Sequence, residues 1–386
     1  MDQRSAQTFF ALLRSGICGT QLTQSQIASC TEAELAKWMA MAQKHDVAHL
    51  LALGLKQNRL TSQKETWIEK SILQAVYRYE CLRCELSSLC DALEAAQIPF
   101  VPLKGSVLRR FYPEAWMRTS CDIDILVSYA DLEKAIACLK KDLNYIEKER
   151  ATHDVSLFSP TGQHVELHFD LVEEGRAKDA AGVLRSLWDH VSLGENSAYQ
   201  YEMSDAFFYF YHIAHMAKHF ESGGCGIRPF IDLWILDHME GADQNRRNAL
   251  LAEGGLLQFA NASRKLSSVW FGGEEADALS LQMQVFVLSG GGYGSFSNRV
   301  ALQQKEKGGK MGYLSARIFA PYEKLKRYYP VLEKHRWLMP VMQVRRWAML
   351  LDPKVARMAR EEMKTNRGID KRKAEEMNLF LREIGL

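Results

Sequence analysis

The sequence predicts an α+β fold. A small mixed sheet over residues 96–172 is flanked by an N-terminal helical region, 1–95, and a larger C-terminal helical region, 173–386. Three observations predict it. Residues 98–127 read as a short apolar strand, a Gly-Ser turn, a helix and a second strand carrying two acids. Residues 155–171 hold two apolar runs joined by Ser159-Pro160-Thr161-Gly162, a turn with Pro second and Gly fourth. On either side of this core, apolar residues return at helical rather than alternating spacing.

In the N-terminal region, Thr31-Glu32-Ala33-Glu34 has the form of a capping box, with the Thr hydroxyl on the Glu34 amide and the Glu34 carboxylate reaching back. Leu35, Met39 and Ala42, then Val47, Leu50 and Leu51, follow helical spacing. A longer helix is expected over 62–96, with Ile68, Ile72, Val76 and Tyr79 along one stripe. Cys81-x-x-Cys84 lies on it. No second Cys or His pair follows at zinc-finger spacing, so buried thiols are expected there rather than a metal.

In the core, alternate residues of Cys121–Val127 project to one face of a strand. Asp122 and Asp124 therefore stand together, with Cα atoms about 6.5–7 Å apart, while Ile123 and Ile125 face the interior. Two carboxylates on one face repel unless a cation lies between them. Mg²⁺ is usually held by one or two carboxylates together with substrate phosphates. Upstream, Leu103-Lys104-Gly105-Ser106 ends a strand and opens a helix near Val107. Gly permits the turn, and amides at a helix start can hold phosphate oxygens with the Ser hydroxyl. Asp131 is placed to cap a helix to Leu143 with Leu132, Ala135, Ile136 and Leu139 inward. Tyr145-Ile146 starts a further strand. In 164–170, Val165, Leu167 and Phe169 share one face, and His164, Glu166, His168 and Asp170 the other. That adds a third carboxylate.

From residue 173 helical signals return. The helix from Asp205 to Glu221 is buried on most sides and carries His212, His215 and His219, with Lys218 adjacent. His215-x-x-x-His219 has zinc-like spacing but lacks a following Glu and a third ligand, leaving packing or a substrate contact. Arg228 is placed to stand over an anion or to pair with Asp232 one turn on. The glycine runs at 290–294 and 308–309 lack the features of a phosphate loop and read as connectors. Residues 313–350 mix basic and aromatic side chains, a composition that suits RNA or single strands. Pro321, Pro330 and Pro340 cut that stretch into short helices, for which charged outer faces are expected. A charged amphipathic helix or tail is expected over 360–382.

Gly-Ser, then Asp-x-Asp, then one acid on a later strand resembles the nucleotidyltransferase superfamily that includes DNA polymerase beta. Leu103-Lys104-Gly105, Arg118, Asp122–Val127 and Glu166-Leu167-His168 look more closely like the uncharacterised bacterial nucleotidyltransferase family within it. The resemblance implies that Asp122, Asp124 and Glu166 bind Mg²⁺ or Mn²⁺ and carry catalysis. It implies that Gly105 and Ser106 hold the triphosphate of an NTP such as ATP, with Lys104 or Arg118 neutralising charge. Lys218 and His219 resemble residues of the family's helical part, and Arg228 joins them as a candidate nucleotide contact. The implied reaction moves a nucleoside monophosphate onto a small molecule, tRNA or protein. A non-catalytic nucleotide-binding or interaction protein on the same scaffold is the alternative.

Composition narrows the partners. A net charge of +2 over 386 residues gives no global field for nucleic acid, which stays possible but not indicated. No apolar run approaches the roughly 18 residues of a membrane span, so no membrane is expected. Eight scattered cysteines suit a reducing cytoplasm.

Overall fold

In a computed structural model the described residues are 1–60, 64–172 and 178–386. They form two units: Met1–Lys218 with Gly226–Gly292, and His219–Cys225 with Tyr293–Leu386. Helices dominate, with one five-stranded mixed sheet and one two-stranded sheet, which is the α+β class expected.

Both sheets belong to the first unit. The larger contains β1 (Phe100–Pro102), β2 (Asp122–Val127), β3 (Ile146–Arg150), β4 (Asp154–Phe158) and β5 (His164–His168). Their spatial order is β1-β2-β5-β4-β3. The chain leaves β2 through the helix Leu132–Asp142, forms the antiparallel run β3-β4-β5, and so brings β5 in parallel to β2. β6 (Val191–Leu193) and β7 (Tyr201–Met203) pair separately.

Alternation sorts the faces of the larger sheet. Ile123, Ile125, Val155, Leu157, Val165 and Leu167 are fully buried in a cluster with Leu82, Leu89 and Leu93 of the helix Glu65–Ala95. Leu132, Ala135, Ile136 and Leu139 join them, as the stripe of the helix Leu132–Asp142 requires. Each such large aliphatic side chain contributes about 1.5–3 kcal/mol of burial. The acids are left to the opposite face.

Local differences have identifiable causes. The long helix spans Glu65–Ala95, and the start expected at 62 lies outside the described residues. Its most buried positions are Ile68, Ala75, Leu82, Leu89 and Leu93, so the stripe is turned from the one expected. Cys84 consequently faces out and Cys81 is half-buried, in place of two buried thiols. Thr31 caps the Glu34 amide at 3.3 Å, but the Glu34 carboxylate goes to Ser5 and Lys37 instead of back to the cap. Asp131 makes no cap either, because its carboxylate accepts from the Ser128 hydroxyl at 2.7 Å.

The second unit is built of short helices divided near Pro321 and Pro330, as the sequence suggests, whereas Pro340 lies in the first turn of Met339–Ala348, where a proline is tolerated, and makes no break. Val300, Ala301, Tyr313, Ile369 and Ala374 form one small core, and Ala320, Leu325 and Leu332 another.

Two buried histidines of the first unit bear on acid stability. Burial pushes His45 and His49 down to about 4, and His49 also contacts the Met117 carbonyl oxygen at 2.7 Å. The unfolded chain takes up these protons below about 6.5, the folded chain only below about 4. Stability is therefore complete above the unfolded value and is lost as pH falls from there to about 4. Each histidine should cost on the order of 3 kcal/mol across that window. Urea midpoints measured at several pH values check this, and His45→Leu should flatten the slope.

Candidate functional site

The site starts from a register. Parallel pairing places Asp124 opposite Glu166 and Asp122 opposite His164, so acids from two strands meet on the sheet face away from the core. Ligand-capable atoms of Asp122, His164 and Glu166 lie within 4.8 Å of one another, as do those of Asp124, Glu166 and His168. The three acids predicted from sequence thus form one cluster, with Glu166 shared between both sets.

Lys104 enters this cluster from the end of β1. Its Nζ lies 2.6 Å from Asp124 Oδ1 and 3.8 Å from Glu166 Oε2. The backbone that aims it is unusual: Lys104 has φ 44° and ψ −119°, a left-handed conformation that L residues avoid. Such strain costs of order 1–3 kcal/mol and persists only where surrounding contacts hold it. Here the Leu103 amide donates to the Asp124 carbonyl at 3.0 Å, fixing the strand end beside the acids. Gly105 follows in a tight place: a Cβ there would sit 3.1 Å from Ser120 Cβ and Oγ, so Ser120 would have to shift. Arg109 braces the same turn, donating to the Gly105 carbonyl at 2.8 Å and Ser120 Oγ at 2.9 Å.

His168 completes the inner contacts, with Nε2 2.9 Å from Asp124 Oδ1 and 3.3 Å from Glu166 Oε2. The electrostatics follow from these neighbours. Burial opposes the Asp124 charge, but Lys104 and His168 outweigh it and hold the carboxyl well below its usual range. Burial likewise opposes the Lys104 and His168 cations, yet the carboxylates raise both. Asp122 is raised, by burial first and by Asp124 second, with Lys104 and Arg228 pulling the other way. Tyr211, buried beside these charges, is raised mainly by burial.

A cleft of about 40 Å³ opens beside the cluster, lined by Lys104, His153, His168, Tyr211, His215 and Lys218 among others. Lys218 therefore stands at the cluster. His219 is half-buried and is not among the described residues lining this cleft.

The other candidates are placed differently. Ser106 lines a separate cavity of about 120 Å³ with Pro102, Arg110, Glu202 and Phe208. The amides of Ser106 and Val107 donate to the carbonyls of Leu103 and Lys104, inside a helix of one turn, Gly105–Leu108. Arg118 is buried, its Nε 2.6 Å from Asp232 Oδ1, to which the Tyr112 hydroxyl also donates at 2.7 Å. Arg228 does not pair with Asp232. Its Nη1 donates instead to Asp46 Oδ2 at 2.7 Å and to the Thr119 carbonyl at 3.0 Å.

Three contributors escaped the sequence reading: His168 as a partner of both acids, Tyr211 in the cleft and Asp232 as the anchor of Arg118. The first was readable in principle, since His168 follows Glu166 at i+2 on the same strand face. Asp232 meets Tyr112 and Arg118 more than 100 positions away, and Tyr211 joins Lys104 and His168 from a separate helix; no local spacing encodes either.

Removing the Asp232 carboxylate would leave the Arg118 guanidinium buried without its counter-charge. Asp232→Ala should therefore destabilise the fold by about 3–5 kcal/mol. Denaturant titration of the variant against wild type measures it.

A family model described as an uncharacterised nucleotidyltransferase matches residues 31–272 of the chain. No curated protein and no solved structure matches it.

Proposed function

The chain belongs to the uncharacterised nucleotidyltransferase family, and from that premise we propose a divalent-metal-dependent enzyme that transfers a nucleoside monophosphate from an NTP to an acceptor hydroxyl. The observation carrying this reading is the gathering of Asp122, Asp124 and Glu166 on one sheet face by the parallel β2–β5 register.

The donor set suits a hard cation. Two overlapping groups of carboxylate oxygens and imidazole nitrogens share Glu166, and carboxylate oxygen is what Mg²⁺ and Mn²⁺ prefer. Asp122, Asp124 and Glu166 would hold the ion or ions. A bound ion would supply positive charge against the triphosphate oxygens and the developing charge of the leaving pyrophosphate. The rest falls to the chain. Asp124, held far toward its ionised form by Lys104 and His168, is a ligand and a poor base. Glu166 accepts the proton of the attacking hydroxyl. Lys104 and Lys218 face phosphate oxygens, and Arg228 adds charge on the Asp122 side. Gly105 lets the backbone approach closely, with Ser106 as its neighbour in the turn. Arg118 acts by position, fixing the turn that precedes β2 through Asp232. Phosphoryl transfer asks a protein mainly for this positioning and charge stabilisation.

One observation favours a second reading, nucleotide binding without turnover. Lys104 already neutralises Asp124 at 2.6 Å, as a permanent stand-in for a metal would.

Incubation of the protein with Mg²⁺, each labelled NTP and cell lysate as acceptor source separates the two. The enzyme reading expects label transfer that falls at least about 10²–10³-fold in Asp122→Asn/Asp124→Asn. Nucleotide binding that persists without metal, with no transfer in any lysate, supports the second reading. Transfer that survives the double substitution would end the first.

A further inference from the structure

The second unit carries a charge and surface pattern that nucleotidyl transfer does not use. Residues 293–386 hold 21 Lys and Arg against 10 Asp and Glu, although the whole chain nets only +2. The excess is densest between residues 313 and 360, where eleven basic residues face three acids. Such asymmetry points to a polyanionic partner.

The same segment leaves an apolar stripe uncovered. Residues 336–351 run as continuous helical turns, Arg336–Leu338, Met339–Ala348 and Met349–Leu351. Their inner side does the packing: Leu338, Met339 and Met342 close over Ala320, Leu325 and Leu332, and Gln343 donates to the Ala320 carbonyl at 2.6 Å. The outer side repeats at four, three, four and three residues, through Trp337, Val341, Val344, Ala348 and Leu351. Trp337 is 74% exposed, Val341 54%, Val344 59% and Leu351 86%. A solvated outer face would carry polar residues at these positions. Exposed Lys334, Lys354, Arg357 and Arg360 flank the stripe instead, with Met358 exposed among them.

We propose that this outer face of residues 336–360 docks on an anionic lipid bilayer surface. The basic flanks match anionic headgroups, and the Val-Val-Leu stripe enters the acyl boundary with Trp337 at its end, as interfacial helices do. Nucleic acid fits the observations less well. Base stacking needs open aromatic faces, whereas the stripe is mainly aliphatic and two of the neighbouring rings lie under the chain's own cations. Arg336 lies 4.6 Å over the Tyr322 ring and Arg345 5.5 Å over Tyr329. The expectation of no membrane rested on the lack of a spanning run, and no helix among the described residues is long and apolar enough to span. A helix lying on the surface needs no such run.

Co-sedimentation of the full chain with phosphatidylglycerol–phosphatidylcholine vesicles tests this. Binding is expected at low salt, weakening as salt rises and at least tenfold weaker on pure phosphatidylcholine vesicles. Val344→Asp/Leu351→Asp should reduce binding at least tenfold while its thermal melt stays that of wild type, since both residues are exposed. Lys354→Glu/Arg357→Glu should reduce it on anionic vesicles alone. The proposal is overturned if wild type stays in the supernatant with anionic vesicles, or if Val344→Asp/Leu351→Asp binds them as wild type does. Loss of homopolymer RNA binding in that variant, with no vesicle binding by wild type, would reassign the face to nucleic acid. A wild-type dimer that the variant turns monomeric, again without vesicle binding, would reassign it to a second copy.

Discussion

Everything at the site depends on parallel pairing of two short strands. Had β5 joined β2 one residue out of register, Glu166 would face the core and Leu167 the acids, because side chains alternate with a period of two. The observed register puts Asp124 opposite Glu166 and Ile125 opposite Leu167, so one pairing satisfies both the apolar core and the carboxylate cluster. The crossover helix Leu132–Asp142 and the β3-β4-β5 run exist, in this sense, to deliver one glutamate beside two aspartates.

Gathering three acids in a largely buried place creates an electrostatic cost that must be offset. Lys104 offsets it, reaching Asp124 and Glu166 from a backbone held in a left-handed conformation, and His168 reinforces it from the next strand position. A charge pair at about 4 Å is worth about 4 kcal/mol at an effective dielectric of 20, which exceeds the strain stored at Lys104. The same balance explains why Asp124 and Asp122 are pushed in opposite directions although they share a strand face. Asp124 touches two cations, whereas Asp122 has burial and a neighbouring carboxylate. One environment keeps the carboxyl ionised, and the other holds its proton more readily.

Most of the scaffold was legible. The strand of Asp122 and Asp124, the stripe of Leu132, Ala135, Ile136 and Leu139, the hairpin bringing in Glu166 and the helix from Asp205 to Glu221 all follow from local periodicity. What was not legible is long-range pairing. Arg228 and Asp232 sit one turn apart and invite each other, yet Arg118 takes Asp232 and Asp46 takes Arg228. Ser106 shows the complementary limit: its place after Gly105 is plain in the sequence, but a one-turn helix directs it to a different cavity from Lys104. The outer face of residues 336–351 was read as charged, and only knowing which side packs inward exposes its apolar stripe.

The central claim is that the carboxylates, and not Lys104 alone, define a cation site. Electron paramagnetic resonance titration of Mn²⁺ into the protein, in the presence of a non-hydrolysable NTP analogue, tests it most directly. Wild type should bind Mn²⁺, and Asp122→Asn, which removes no ion pair among the described residues, should lose that binding while keeping the wild-type melting profile. Free Mn²⁺ throughout the wild-type titration, or equal binding by Asp122→Asn, would contradict the account.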